Sequence, residues 1–139
     1  MTVYLDASVV VSMFLADANT PRALDFAERY SLVTLSLWTV AEFSSALAVQ
    51  TRIGRAAPME RRRAEARFDE WLTLQSEPLV PTPDDFAAAR RMLRVDSAVL
   101  RTPDALHLAI CERVGTALAT FDVRMRQAAQ AFGVPTIEV

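Results

Sequence analysis

Four carboxylates stand apart from the rest of the charge in this chain. Asp6 is the only charged side chain in the first 16 residues, and it ends the apolar run Val3-Tyr4-Leu5. Glu42 is the only charge between Arg29 and Arg52, Asp104 between Arg101 and Glu112, and Asp122 between Arg113 and Arg124. Asp6, Asp104 and Asp122 fall at expected helix starts, where aspartate is a common cap or first-turn residue. Taken singly, each reads as a structural cap. Glu42 does not, because it lies inside an apolar helix with no Lys or Arg near it in sequence. A carboxylate there is costly unless it is paired or binds a cation.

Taken together, the four suggest chemistry. If they converge, mutual repulsion raises some of their pKa values, and a divalent cation relieves it. An all-oxygen, water-rich site points to Mg²⁺ or Mn²⁺. One His and one Cys are too few for a zinc cluster. Such a site suits phosphodiester hydrolysis, in which the metal activates a water and neutralises charge on the phosphoryl oxygens. No Gly-rich phosphate loop, no G-x-S-x-G and no Cys-His pair with a third partner offers another route. A phosphotransfer domain with Asp6 as nucleophile would want a Lys near the acids, and all 15 basic residues are Arg.

The elements that must position these acids alternate between strand and helix. Strands are expected at Thr2–Leu5, Leu32–Leu35, Leu79–Val80, Thr116–Thr120 and Pro135–Val139. Between them, helices are expected over 7–15, 20–30 (capped by Thr20 before Pro21), 38–54, 58–74, 82–94, 105–114 and 122–133. This order predicts an α/β chain with a central parallel sheet of about five strands covered on both faces. With 139 residues and 52% hydrophobic content, one domain spanning 1–139 is expected. No uncharged apolar run reads as a membrane span, no signal peptide is expected, and the lone Cys111 fits a reducing cytoplasm. The net charge of −2 gives no global positive field for nucleic acid.

The ordered set Val3-Tyr4-Leu5-Asp6-Ala7-Ser8, Glu42, Pro103-Asp104-Ala105-Leu106-His107 and Leu118-Ala119-Thr120-Phe121-Asp122 resembles the PIN-domain ribonucleases, and closely the VapC-type toxins of toxin–antitoxin pairs. The resemblance covers essentially the whole chain. It implies a three-layer α/β/α sandwich and metal-dependent cleavage of RNA. It also implies a cognate antitoxin and a homodimer. By position, Asp6, Glu42, Asp104 and Asp122 match the family's acidic cluster, with Asp6 and Asp122 as direct ligands and Glu42 and Asp104 bound through water or to a second ion. Ser8 and Thr120 match hydroxyls that orient a carboxylate or a metal-bound water. Many relatives carry a further Asp or Asn after the last acid, where this chain has Val123-Arg124-Met125-Arg126. That departure motivates an alternative, a PIN module that binds RNA or protein without cutting.

Other residues carry a plainer expectation. His107 shares a helix face with Asp104; it reads as a packed helix histidine, with ligand or proton carrier as the alternative. Arg124 and Arg126 are either RNA contacts or a solvated helix face. Arg61, Arg62, Arg63 and Arg67, interleaved with acids, read as an ordinary salt-bridged face, with RNA binding as the alternative. Trp38, Phe43, Phe68 and Trp71 read as core, or as a groove for an antitoxin's apolar helix.

Overall fold

The strand before Asp6 is the centre of the sheet. In the computed structural model, which describes residues 2–97 and 99–139, β1 (Val3–Leu5) pairs in parallel with β2 (Val33–Thr34) on one side and with β3 (Ala117–Ala119) on the other. β3 pairs in parallel with β4 (Thr136–Ile137), so the order is β2-β1-β3-β4. Val3, Tyr4 and Leu5 are all buried, as a strand covered on both faces requires.

The helices are α1 (Ala7–Phe14), α2 (Thr20–Arg29), α3 (Leu37–Arg52), α4 (Pro58–Leu72), α5 (Pro83–Leu93), α6 (Thr102–Val114) and α7 (Val123–Ala131). Alternate side chains of β1 feed two separate cores. Val3 and Leu5 join Val9, Val10, Phe26, Phe43, Leu47 and Phe68 from α1 to α4. Tyr4 and Leu118 join Met92, Leu108, Ile110 and Met125 from α5 to α7. Those two cores on opposite faces of one sheet make the three-layer α/β/α sandwich. Phe43 and Phe68 stack with centroids 4.1 Å apart, which fastens α4 to α3.

Three local expectations are corrected. The strand expected at Leu79–Val80 is a single parallel bridge, Ser36 to Leu79, so the described residues form a sheet of four strands. Leu79 donates to the Leu35 carbonyl and accepts from Leu37 N–H. Two residues on, Pro81 has no N–H to continue the ladder. The second correction concerns α2. Asn19 takes the cap position without a side-chain bond, while the Thr20 hydroxyl accepts from Asp17 N–H at 2.9 Å. The third concerns α4, whose arginines form no ion pair with its interleaved acids among the described residues. Glu65 instead accepts from the Ser44 hydroxyl, and Arg67 lies 5.8 Å from the Phe14 ring centre.

Candidate metal-binding active site

Strand order decides where the acids meet. The chain leaves β1 toward β2 on one side and β3 lies on the other, so the two sides diverge at the carboxyl ends of β1 and β3. In open parallel sheets that crevice is where ligands bind. Asp6 follows β1, and Thr120 and Asp122 follow β3. α3 begins just after β2 and carries Glu42 in its second turn. α6 precedes β3 and runs back against it, so its N-terminus, with Asp104 in the first turn, reaches the same edge.

The aspartates do not share one role. Asp6 does cap α1: one carboxylate oxygen accepts from Ser8 N–H (3.1 Å), Ser8 Oγ (2.7 Å) and Val9 N–H (3.4 Å). Its other oxygen accepts from Thr120 Oγ1 at 2.7 Å. Asp6 is 5% exposed, and burial pushes its carboxyl up from the ordinary value despite those bonds. Asp122 caps α7, accepting from Arg124 N–H (2.8 Å) and Met125 N–H (3.2 Å). Asp104 caps nothing, and among the described residues its carboxylate has no hydrogen-bond partner. Burial raises its carboxyl, and the charges of Asp122 and Glu42 add to that against Arg101 and His107.

The hydroxyls tie the two strand ends together. Thr120 Oγ1 donates to Asp6 and accepts from Asp122 N–H at 3.0 Å. Ser8 Oγ donates to Asp6 and accepts from Phe121 N–H at 3.0 Å. Each hydroxyl thus holds a carboxylate of one loop against the backbone of the other.

Two adjoining cavities share Asp104. One, of about 270 Å³, is lined by Asp6, Ser8, Glu42, Asp104 and His107 among others. The other, of about 690 Å³, is lined by Val99, Leu100, Arg101, Asp104, Asp122, Val123 and Arg124. The expected acids therefore border two adjoining cavities that meet at Asp104. Among the described residues, however, no three of them stand close enough to hold an ion as they are. The donor chemistry still fits a hard divalent cation. All the donors are oxygens, and Asp104 carries an unneutralised carboxylate beside two more. Mg²⁺ keeps several of its waters and needs only one or two direct carboxylates.

Two contributors and one pairing escaped the sequence reading. Glu42 is paired after all: its Oε2 lies 2.5 Å from Nε2 of His107, 65 residues away in the chain. Tyr4, at the centre of β1, lies 2.7 Å from the other ring nitrogen of His107. Arg101 faces the larger cavity together with Arg124, and neither makes an ion pair among the described residues. The apolar run around Tyr4 hid its part, and no spacing along the chain shows the pairing of Glu42 with His107. Arg126 is partly folded away, donating from Nη2 to the Thr120 carbonyl at 3.1 Å while its Nε is buried without a partner.

The architecture is an α/β/α domain with acidic side chains gathered at the switch point of its sheet. The PIN domain family model matches residues 3–131, and the chain belongs to that family, at whose level the fold is a nuclease fold. No curated protein sequence matches. Among solved structures, the chain resembles FitAcB from Neisseria gonorrhoeae (TM-score 0.75, 19% identity, 97% of this chain and 96% of that one). It also resembles Mycobacterium tuberculosis VapC20, described as a sarcin–ricin loop cleaving toxin (TM-score 0.71, 20% identity, 91% and 94% covered). A third is VapBC2 from Rickettsia felis, solved with a fragment of its promoter DNA (TM-score 0.73, 12% identity, 99% and 98% covered).

Proposed function

We propose that residues 1–139 form one PIN domain that acts as a divalent-metal-dependent endoribonuclease, the toxin of a toxin–antitoxin pair. The observation that carries this reading is the cleft at the sheet's switch point, bordered by Asp6, Glu42, Asp104 and Asp122. Asp104 and Asp122 would hold Mg²⁺ or Mn²⁺ together with Asp6 and Glu42, partly through water. When bound there, the ion supplies an acidified water and charge neutralisation at the phosphoryl oxygens.

The chain's own residues do the rest. Ser8 and Thr120 lock the Asp6 carboxylate in one orientation, which is how partners behind a ligand tune a metal site. Asp104, with no hydrogen-bond partner among the described residues, is the acid freest to take a cation. Arg101 and Arg124, at the edge of the same cleft, present guanidinium groups to phosphates either side of the cut, the contact for which Arg is suited. The reading also includes a cytoplasmic location; among the described residues no helix is long and apolar enough to cross a membrane.

An antitoxin is the proposed protein partner, beside a second copy of this chain. Leu37, Ala41, Ser45 and Val49 recur every fourth residue along α3, Ile53 follows at its C-cap, and all five are exposed. Such a row suits the apolar face of a partner helix. Beside it, a cavity of about 300 Å³ lined by Trp38, Ala41, Glu42, Ser45 and Pro103 reaches to the acidic site. An antitoxin segment seated there would touch Glu42.

Purified protein should cut RNA with Mg²⁺ or Mn²⁺, stop with EDTA, and lose cleavage in Asp104→Asn with its melting temperature kept. Cleavage that survives EDTA or Asp104→Asn overturns the assignment. One observation favours a second reading, a PIN module that binds without cutting: the acids are not preassembled around one point. Calorimetry separates the two readings. A single Mn²⁺ site lost in Asp122→Ala supports the nuclease, and no Mn²⁺ binding supports the binding module.

A further inference from the structure

A chain of buried polar groups runs from the middle of the sheet to the edge of the cleft. Ser36 Oγ lies 2.7 Å from Tyr4 Oη, and Tyr4 Oη lies 2.7 Å from His107 Nδ1. His107 Nε2 lies 2.5 Å from Glu42 Oε2. Thr39 Oγ1 stands 3.1 Å from the same phenol and donates to the Leu5 carbonyl. Tyr4, Ser36 and Thr39 are fully buried and His107 is 1% exposed. Such groups are rarely placed in a core without a directional reason, since each must find partners there.

The directions are set by chemistry. An ionised Glu42 only accepts, so Nε2 of His107 carries the proton between them. Nδ1 of a neutral ring then accepts from the Tyr4 hydroxyl. Burial pushes the Tyr4 phenol far up, which keeps it a donor. Tyr4 in turn accepts from Ser36. With Glu42 accepting, one arrangement gives each proton a single acceptor: Nε2–H to Glu42, the Tyr4 hydroxyl to Nδ1, and the Ser36 hydroxyl to Tyr4. Glu42 on a helix surface otherwise has three side-chain torsions to wander in. With Oε2 held by His107, its Oε1 has no hydrogen-bond partner among the described residues, on the wall of the cavity that also holds Asp6 and Asp104.

We propose that His107 is a positioning residue: it anchors Glu42 through Nε2–H, with Tyr4 and Ser36 fixing its ring, so that Glu42 presents one set oxygen toward a cation in the cleft. This rests on the reading of Glu42 as a functional acid. The arrangement matches the general rule that ligands are oriented by the groups behind them, whose loss costs about 10–100-fold in metal affinity.

Two substitutions divide the roles of the ring. In His107→Gln the side-chain amide stands where Nε2 stood and still donates to Glu42. In His107→Asn the amide stands where Nδ1 stood, facing Tyr4, and does not reach Glu42. Mn²⁺ titration of the whole protein, followed by electron paramagnetic resonance, needs no substrate. His107→Gln should stay within about threefold of wild type, and His107→Asn should bind about tenfold or more weakly. Nitrogen-15 spectra of wild-type His107 should show the Nε2–H tautomer, with the Nε2 proton signal moved in Glu42→Gln. The inference is overturned if the ring is the Nδ1–H tautomer, or if the Gln and Asn variants bind Mn²⁺ alike. Glu42→Gln keeps the two levels apart. If it leaves Mn²⁺ affinity and RNA cleavage unchanged, the reading of Glu42 falls and the role of His107 with it. If it abolishes both while His107→Asn changes neither, only the role of His107 falls. Should His107→Asn fail to fold, Tyr4→Phe still tests the anchor: loss of the single tautomer with weaker Mn²⁺ binding supports it, and an unchanged tautomer and affinity overturn it.

Discussion

Asp6→Asn separates the two jobs of the residue that ends the central strand. Asp6 accepts four hydrogen bonds, from Ser8 N–H, Ser8 Oγ, Val9 N–H and Thr120 Oγ1. Asparagine keeps the carbonyl oxygen that caps α1. Its amide nitrogen replaces the oxygen facing Thr120, whose hydroxyl can turn and accept instead, since it is already bonded to Asp122 N–H on one lone pair. The loss is one charge-assisted bond, about 1.5–3 kcal/mol. The gain is release of a buried charge, worth several kcal/mol after relaxation. Burial raises the Asp6 carboxyl against its hydrogen bonds, so the second effect is the larger. The linkage sign agrees. A carboxyl raised on folding stabilises most when protonated, and that stability is lost as pH rises from the ordinary 3.8 through the folded value. In EDTA at pH 7, Asp6→Asn should therefore melt at the wild-type temperature or a few degrees higher, at about 2–4 °C per kcal/mol. The same variant should have no metal-dependent RNA cleavage. Scanning fluorimetry and a gel assay on total RNA suffice. A fall in melting temperature beyond about 5 °C would refute the reasoning, because it would make ionised Asp6 a stabilising cap and not a strained functional acid.

The other perturbations follow from the same contacts. Thr120→Val keeps shape but strips Asp6 and Asp122 N–H of a partner, so it should cost about 2–4 kcal/mol in urea unfolding and at least about tenfold in cleavage; Thr120→Ser should restore both. Buried Asp85 is pushed up by burial, but Arg113, at 2.7 Å, and Thr82 outweigh that and hold it below the ordinary 3.8. Its contribution is therefore full above pH 3.8 and is lost as pH falls through the lower folded value. Arg113→Met should cost about 2 kcal/mol at neutral pH, discounted because Arg113 is 34% exposed, with the gap to wild type narrowing below pH 3.8 in acid unfolding curves. Arg101→Gln and Arg124→Gln should each raise KM for RNA with little change in kcat, and flatten the salt dependence of binding by about 0.7 per lost phosphate contact. An unchanged salt slope in the double variant would remove the two arginines from the RNA path.

Charge isolation singled out the four candidate acids, the alternation of elements pointed to a parallel sheet, and the resemblance of the ordered motifs supplied the family. That signal is local. An apolar run ending in an acid, a Pro at a helix start or a Gly after α6 fixes its own few residues; Gly115, at φ 68°, closes α6 in a conformation that favours glycine. The third of the five expected strands, Leu79–Val80, failed for an equally local reason, a missing N–H at Pro81. What needed the tertiary structure is everything joined across the sheet. No spacing along the chain pairs Glu42 with His107, or Thr120 with Asp6, 114 residues away. Nor does the sequence separate Asp104, which caps nothing, from Asp6 and Asp122, which do. Parallel strands put residues distant in sequence side by side at one edge, and which edge they share depends on strand order. Residue types set what these side chains can do; the order β2-β1-β3-β4 decides which of them meet.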